Sequence, residues 1–163
     1  NFYALIIGTE ILNGRREDQH FEFVKNELAK YGHELFASFI IKDDKELIKK
    51  CFEMIQEDAK SVLFSFGGIG STPDDLTREI ASQVFRASPV LVHEKFLQDI
   101  IDRFEEKAYP HRIHMADLPP QSDLLFNPVN NMSGFSLDDR FFFHSRISIY
   151  GTSYDRRSYK KTF

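Results

Sequence analysis

The segment Ser65-Phe66-Gly67-Gly68-Ile69-Gly70-Ser71-Thr72-Pro73-Asp74-Asp75-Leu76-Thr77 carries the clearest structural signal in the chain. It continues the apolar run 62–64 and turns through three glycines, which permit positive φ angles and close approach of a ligand to the backbone. Thr72 is predicted to cap a helix that begins at Pro73, with Asp75 completing a capping box. The sequence therefore predicts a strand, a glycine loop and a helix in succession.

The predicted helix start makes the glycine loop a candidate phosphate site, because helix N-termini present unpaired N–H groups and a partial positive charge. The loop contains no lysine, which excludes a P-loop, and Pro73 stands where a dinucleotide fingerprint needs its third glycine. It carries instead the carboxylates of Asp74 and Asp75. Carboxylates beside a phosphate usually hold a bridging Mg²⁺, so we expect a phosphorylated ligand bound with this ion.

Short apolar runs alternate with amphipathic segments along the first half of the chain. The strands predicted from these runs are residues 2–7, 35–41 and 61–66. The first predicted helix spans residues 17–31, with Phe21, Val24, Leu28 and Tyr31 on its buried face. A second helix begins at Asp43 or Asp44, and a third follows the glycine loop. This order predicts a single-domain, three-layer αβα fold with a mostly parallel sheet and helices on both faces.

Parallel strands place their carboxyl ends along one edge of the sheet, where ligands of such folds bind. We therefore expect three loops to converge there: Gly8-Thr9-Glu10, Asp43-Asp44 and residues 67–75. The second half is less regular. It predicts a helix over residues 92–107, a mostly irregular stretch over 109–127 with a strand near 124–126, and further strands after residue 134 and over 140–143.

The composition indicates one domain that has no nucleic-acid or membrane partner. The 163 residues carry a net charge of −4, which gives no electrostatic reason to bind nucleic acid. No apolar run reaches membrane-spanning length. Cys51 is the single cysteine, lies on an apolar helix face and fits a reducing, cytoplasmic location. The six histidines show no metal-binding spacing.

Residues 67–77 match the pattern Gly-Gly-x-Gly-x-Thr-x-Asp-Asp-x-Thr at every specified position. This pattern resembles the signature of the molybdenum-cofactor-biosynthesis domain family, the MoaB/Mog-like molybdopterin-binding domains, in the form that the N-terminal domain of CinA carries. Residues 8–12 and 127–135 resemble further elements of that family. Members usually continue with an Asp-(Thr/Ser)-Asn triplet, of which this chain keeps only Asp18.

The resemblance implies particular roles for the residues of the three loops. By analogy with the molybdopterin adenylyltransferases, Asp43 and Asp75 are the expected catalytic residues, and Asp43, Asp74 and Asp75 the expected Mg²⁺ ligands. The ligand would be molybdopterin or a nucleotide, and the protein a homo-oligomer, either dimer or trimer. The residues expected to contact the ligand or its phosphate are Gly8, Thr9, Glu10, Gly67, Gly68, Gly70, Ser71, Thr72 and Thr77.

Several interpretations of these residues stay open. One alternative is that Asp75 does no more than complete the capping box. The same alternative for Asp43 is that it does no more than begin its helix. The enzymatic alternatives are hydrolysis of the pyrophosphate of ADP-ribose, as associated with CinA-type domains, and adenylylation of molybdopterin. The adenylyltransferases commonly carry Arg-Asp where this chain has Asp74-Asp75, which favours the pyrophosphatase. A non-catalytic module that binds a pterin or nucleotide is the other alternative.

The resemblance ends after Phe143. The family continues with a Pro-Gly-x-Pro loop and a helix, whereas residues 144–163 are rich in Ser, Tyr and Arg. A back-translation from His144, read one base later, gives Ile-Pro-Gly-Phe-Pro followed by an amphipathic segment. We therefore divide the chain into a molybdopterin-binding-like domain, 1–143, and a tail, 144–163, with the hypothesis that the tail is a frameshifted reading of the family's C-terminus. Resequencing the gene tests that hypothesis.

Overall fold

The computed structural model describes residues 1–127 and 132–145. The α-helices and strands, in chain order, are β1 Phe2–Ile7, α1 Thr9–Leu12, α2 His20–Ala29, β2 Leu35–Ile41, α3 Lys45–Glu57, β3 Val62–Phe66, α4 Thr77–Arg86, β4 Leu91–Val92, α5 Glu94–Phe104, β5 Asp117–Leu118, β6 Asp123–Leu125, β7 Gly134–Leu137 and β8 Phe141–His144. Two 3-10 helices, Glu105–Ala108 and Arg112–Ala116, follow α5.

The main sheet has the strand order β2-β1-β3-β8-β7-β6. Strands β2, β1, β3 and β8 are mutually parallel, and β7 and β6 continue the sheet in antiparallel pairing. Strands β4 and β5 form a separate antiparallel pair. The predicted α/β fold with a mostly parallel sheet is confirmed. Among the described elements, no helix is both long enough and apolar enough to cross a membrane.

Both faces of the sheet are covered, which explains why the central strands are apolar throughout. On one face, Val24 and Leu28 of α2 pack against Ala4, Ile6 and neighbouring Phe side chains. On the other face, α3, α4 and α5 contribute to a larger core around β1 and β8. Phe52 of α3 is completely buried there, and its ring contacts those of Phe85 and Phe143.

The structure corrects the predicted first helix, which begins at His20 and not at residue 17. The Asp18 carboxylate accepts hydrogen bonds from the backbone N–H groups of His20, at 3.0 Å, and Phe21, at 3.1 Å, and thereby fixes the helix start. His20 is buried against the Phe66 ring, whereas Phe21 and Tyr31 are 38% and 44% exposed. The sequence pattern placed these two aromatics on the buried face because they share an apolar character and helical spacing with Val24 and Leu28.

Three further elements differ from the prediction. Residues 9–12 form one helical turn where a loop was expected, and β4 pairs with β5 within a region that the sequence indicated as helix and loop. The last strand ends at His144, one residue beyond the proposed domain boundary. Of the proposed tail, only His144 and Ser145 lie within the described residues. Residues 128–131 of the predicted family segment also lie outside them, so the frameshift hypothesis stays a prediction.

Replacing Phe52 tests the packing of the core. Phe52→Ala is expected to lower the free energy of unfolding by about 3–5 kcal/mol, because a fully buried ring leaves a cavity. Phe36→Ala is the matched control, since Phe36 is 63% exposed, and is expected to change it by about 0.5 kcal/mol. Urea denaturation of both variants measures the difference, and equal losses would contradict the assigned core.

The buried His144 ring predicts a loss of stability in acid. Burial lowers the pKa of His144 from 6.5 to about 4. Between these values the unfolded chain takes up a proton that the folded protein does not, so the free energy of unfolding falls by about 3 kcal/mol as the pH drops through this window. Denaturation at several pH values, compared with His144→Phe, measures this contribution. Parallel pH dependences of the two proteins would show that His144 contributes nothing.

Candidate functional site

Three loops converge at the carboxyl ends of β1, β2 and β3, as the sequence predicts. They enclose a cavity of about 740 Å³. Its lining residues are Thr9, Asp43, Gly67, Gly68, Ile69, Gly70, Thr72, Asp74, Asp75, Leu76 and Ser145.

The two adjacent aspartates after β2 have different structural roles. The Asp44 side chain accepts from the Leu47 N–H at 2.8 Å and caps α3. Asp43 instead joins the first two loops: its Oδ2 accepts from the Thr9 N–H at 2.9 Å and from Thr9 Oγ1 at 3.0 Å. The capping role left open for Asp43 therefore belongs to Asp44, and the Asp43 carboxylate lies in the cavity wall.

Four consecutive carbonyl groups of the glycine loop are bound by the first two residues of α4. Thr77 donates from Oγ1 to the Gly67 oxygen at 3.1 Å and from its N–H to the Gly68 oxygen at 3.0 Å. The next two oxygens, of Ile69 and Gly70, accept from Arg78 Nη1 at 2.6 and 2.8 Å. The start of α4 thus fixes the orientation of four successive peptide planes.

This arrangement leaves a row of N–H groups that have no hydrogen-bond partner among the described residues. In a trans peptide the C=O and the following N–H point in opposite directions, so the amides of residues 68–71 point away from the α4 groups that bind the carbonyls. None of these four N–H groups makes a hydrogen bond to any described residue. Gly68 and Ile69 are buried, where an unpaired N–H is rare. Four such donors beside one cavity are suited to an anion.

The structure contradicts the predicted capping box, because α4 begins at Thr77 and not at Pro73. Asp75 closes a separate turn: its Oδ2 accepts from the Thr72 N–H at 2.9 Å and from Thr72 Oγ1 at 2.8 Å. A Cβ at Gly70 would lie 2.7 Å from this oxygen. Gly70 therefore serves the close approach of the Asp75 carboxylate to the loop.

The carboxylate oxygens suit a magnesium ion that is bound both by the protein and by the phosphate of a bound molecule. In the described part of the chain, Oδ1 of Asp43 and of Asp75 accepts no hydrogen bond, and Asp74 makes none. Among residues 1–127 and 132–145, no three side chains of His, Cys, Asp or Glu are grouped to hold a metal by themselves. Mg²⁺ commonly binds one or two carboxylates together with phosphate oxygens and water, and the cavity offers the carboxylates of that set.

Four residues predicted to contact the ligand do not line this cavity. Gly8 donates its N–H to the Ile41 oxygen, and the Glu10 carboxylate lies against Gly8, where a Cβ would be 3.3 Å from Oε2. Thr77 is completely buried, and its hydroxyl is bound to the loop. Ser71 lines a neighbouring cavity. Thr77 thus stabilises the glycine loop through its carbonyl groups and does not face the cavity.

Sequence reasoning missed Arg78, which is 8% exposed and makes no ion pair with any described residue. Burial lowers the pKa of its guanidinium, while the carboxylates of Asp75, Asp117 and Glu79 raise it. The available signal was a cation in the first turn of a helix, where the helix dipole disfavours positive charge. Such a residue needs a local reason, and the loop carbonyls supply it.

Residues 3–140 match the sequence profile of a family described as a "probable molybdopterin binding domain". The chain belongs to this family. CinA-like proteins of Acaryochloris marina and Syntrophomonas wolfei are each 31% identical, over 134 and 132 residues, which cover 80% of this chain. The alignments cover 32% of each relative, so the chain spans about a third of their length.

Solved structures agree with the family assignment. The CinA protein of Thermoplasma acidophilum, described as of unknown function, superposes with a TM-score of 0.78 at 27% identity, covering 89% of this chain and 87% of that one. The molybdopterin biosynthesis enzyme MoaB of Thermus thermophilus superposes at 0.55 with 14% identity, covering 90% and 80%. At this identity the second likeness shows the shared fold alone. The resemblance to MoaB/Mog-like domains of CinA type is confirmed.

Two glycine substitutions separate the backbone requirement of the loop from its packing. Gly68 and Gly32 both have positive φ, +69° and +75°, but a Cβ at Gly68 would lie 2.2 Å from Thr77 Oγ1, whereas nothing lies within 4 Å at Gly32. Gly32→Ala is expected to lower the free energy of unfolding by about 1–2 kcal/mol, the cost of the left-handed conformation. Gly68→Ala should cost clearly more. Equal losses in urea denaturation would contradict the tight Gly68–Thr77 contact.

Proposed function

We propose that this domain binds the phosphate groups of a nucleotide or pterin ligand on the amides of residues 68–71 and cleaves a phosphoanhydride bond with Mg²⁺. The observation that carries the proposal is the row of four N–H groups without a hydrogen-bond partner in the described part of the chain. These groups line or adjoin the cavity that also contains three carboxylates. Backbone amides bind phosphate oxygens without requiring a lysine.

The charges of the cavity explain the need for a metal. Asp43, Asp74 and Asp75 line it, and none of its lining residues is a lysine or arginine. Three carboxylates repel a phosphate unless a divalent cation lies between them. When bound, Mg²⁺ would neutralise the phosphate charge and align the attacking and leaving oxygens.

The side chains around the carboxylates hold them in position. Thr9 orients Asp43, and Thr72 orients Asp75, each through a backbone N–H and a hydroxyl on the same Oδ2. This leaves Oδ1 of each aspartate for the metal, and the exposed Asp74 for a metal-bound or attacking water. The amides of the glycine loop bind the phosphate oxygens and fix the phosphorus between these groups.

Hydrolysis of a pyrophosphate such as that of ADP-ribose is the reaction we favour. Asp74 occupies the position at which the adenylyltransferases commonly carry an arginine, and an arginine there would help to hold a triphosphate. Transfer of adenylate to molybdopterin is the alternative reaction. A homo-oligomeric state, dimer or trimer, stays a prediction from the resemblance, and a cytoplasmic location stays a prediction from the single cysteine.

One observation favours a non-catalytic binding module as the second candidate. Within the described ranges, no preformed group of three metal-ligating side chains is present, so metal binding depends on the ligand's own phosphate. Such a domain can recognise a pterin or nucleotide without turning it over. Binding of ADP-ribose or ATP without any product under Mg²⁺ would favour this candidate over the enzyme.

The test of the proposed reaction is release of AMP from ADP-ribose in the presence of Mg²⁺, measured by chromatography. Asp75→Asn keeps the acceptor for Thr72 and removes the charge, so we expect the rate to fall by about 100-fold or more, with binding of ADP-ribose still detected by thermal shift. Asp44→Asn is the matched control, because asparagine caps a helix as well as aspartate does, and should retain full activity.

Three outcomes decide between the candidates. An Asp75→Asn rate equal to that of the unaltered domain would overturn the assigned catalytic role. If the unaltered domain binds ADP-ribose but releases no AMP, the non-catalytic binding module is the supported candidate. If ATP and a molybdopterin precursor raise the melting temperature and ADP-ribose does not, adenylyl transfer is the supported reaction.

A further inference from the structure

The glycine loop is bound by a neutral residue in its first half and by a charged residue in its second half. Thr77 donates to the first two of the four carbonyl oxygens, at 3.1 and 3.0 Å. Arg78 Nη1 donates to the other two, those of Ile69 and Gly70, at 2.6 and 2.8 Å. Hydrogen bonds from an ionised donor are shorter and stronger than those between neutral groups. The two halves of the loop therefore differ in electrostatic environment.

Each of these bonds acts on the N–H group at the other end of the same peptide. A donor on the carbonyl oxygen draws electron density from the peptide, so its N–H becomes a stronger donor in turn, as in a chain of hydrogen bonds. The oxygens that Arg78 binds belong to the peptides that carry the N–H groups of Gly70 and Ser71. The amides of Gly68 and Ile69 belong to the peptides that bind the neutral donor. The second pair of amides is therefore better suited to an anion than the first.

The positive charge of Arg78 is buried and is not cancelled by an ion pair. The guanidinium makes no ion pair with any described residue, and Nε and Nη2 make no hydrogen bond with any residue of 1–127 or 132–145. The side chain lines a second cavity, of about 320 Å³, together with Glu79 and Asp117. Burial lowers the pKa of the guanidinium and nearby carboxylates raise it, and an arginine keeps its charge in either case. Its charge acts on the loop through a region of low dielectric, where charges interact more strongly than across water.

Arg78 lies behind the loop and does not line the first cavity. A lysine inside that cavity would pair with one of its three carboxylates whenever no ligand is bound. A cation behind the peptides makes no such pair and still attracts an anion that binds to the amides. The loop can thus carry positive charge although its own sequence contains no lysine.

We propose that Arg78 is a positioning residue for the phosphate, and that it supplies through the peptide groups the positive charge that a lysine supplies directly in a P-loop. The inference rests on the proposed function and assigns most of the phosphate affinity to the amides of Gly70 and Ser71. Because a Coulomb energy scales with the charge of the ligand, Arg78 contributes more to the binding of a dianion than of a monoanion. A residue that only shaped the loop would contribute equally to both.

Binding of methyl phosphate and of dimethyl phosphate with Mg²⁺, followed by NMR titration, tests the inference. At about pH 8 the first is a dianion and the second a monoanion, and neither contains a phosphoanhydride. Arg78→Met should weaken the binding of the monoanion about 5-fold and that of the dianion about 25-fold. Arg78→Lys keeps the charge and should keep the ratio of the two affinities within about twofold of its original value.

Arg86→Met is the matched control. Arg86 lies in the last turn of the same helix and also donates to a backbone carbonyl, that of Pro120, at 2.8 Å. Because it does not contact the glycine loop, its replacement should change neither affinity.

The amide signals of the unaltered domain provide a test that needs no variant. On titration with methyl phosphate, the proton shifts of Gly70 and Ser71 should change more than those of Gly68 and Ile69, because the stronger donors form the shorter bonds to the anion. Shift changes of equal size at all four amides overturn the inference, and this measurement decides the question where Arg78→Met does not fold.

The remaining outcomes separate the inference from the function on which it rests. Equal losses of affinity for the two esters in Arg78→Met show that Arg78 only shapes the loop, and they overturn the inference. A ratio of affinities in Arg78→Lys as low as in Arg78→Met overturns it as well, since the charge is then not the cause. Failure of both esters to bind the unaltered domain overturns the proposed phosphate site together with the inference.

Discussion

The site depends on one set of hydrogen bonds, those from Thr77 and Arg78 to four consecutive carbonyl oxygens of the glycine loop. They stabilise a backbone course with positive φ at Gly67 and Gly68, which other residues adopt only at a cost. Because each carbonyl is fixed, each following N–H is fixed as well, in the opposite direction. The donors for an anion are thus held in place before any ligand arrives, which reduces the ordering cost of binding.

The acidic residues are held by the same kind of local bonding. Thr9 and Thr72 each bind one oxygen of an aspartate through two donors, which restricts the rotation of the carboxylate and leaves its second oxygen without a hydrogen bond from any described residue. A cavity with this much negative charge and a row of amide donors suits the metal-bridged phosphate that we propose better than a bare anion. Arg78, buried behind the loop, contributes positive charge to the second cavity but does not line the first.

The sequence predicted most of the fold and the place of the site, for physical reasons that particular residues show. The strand over residues 35–41 was placed correctly because seven mostly apolar residues end at a polar pair, and the convergence of three loops followed from parallel strand order alone. The capping box was wrong because Thr72 and Asp75 satisfy the spacing of that motif while bonding to each other in a separate turn. His20 was missed because hydropathy ranks a histidine below the exposed Phe21, although its ring packs on Phe66.

The family, the α/β class and the positions of the carboxylates follow from the amino-acid sequence, since these depend on residue types at fixed spacing within short segments. Only the folded structure shows which aspartate caps α3 and which lines the cavity, and that Thr77 and Arg78 bind the carbonyl groups of the loop. It also decided that Arg78, Glu79 and Asp117 meet in one cavity. These facts depend on distances between segments far apart in the chain and on which of several competing donors reaches a given oxygen, and no local pattern encodes either.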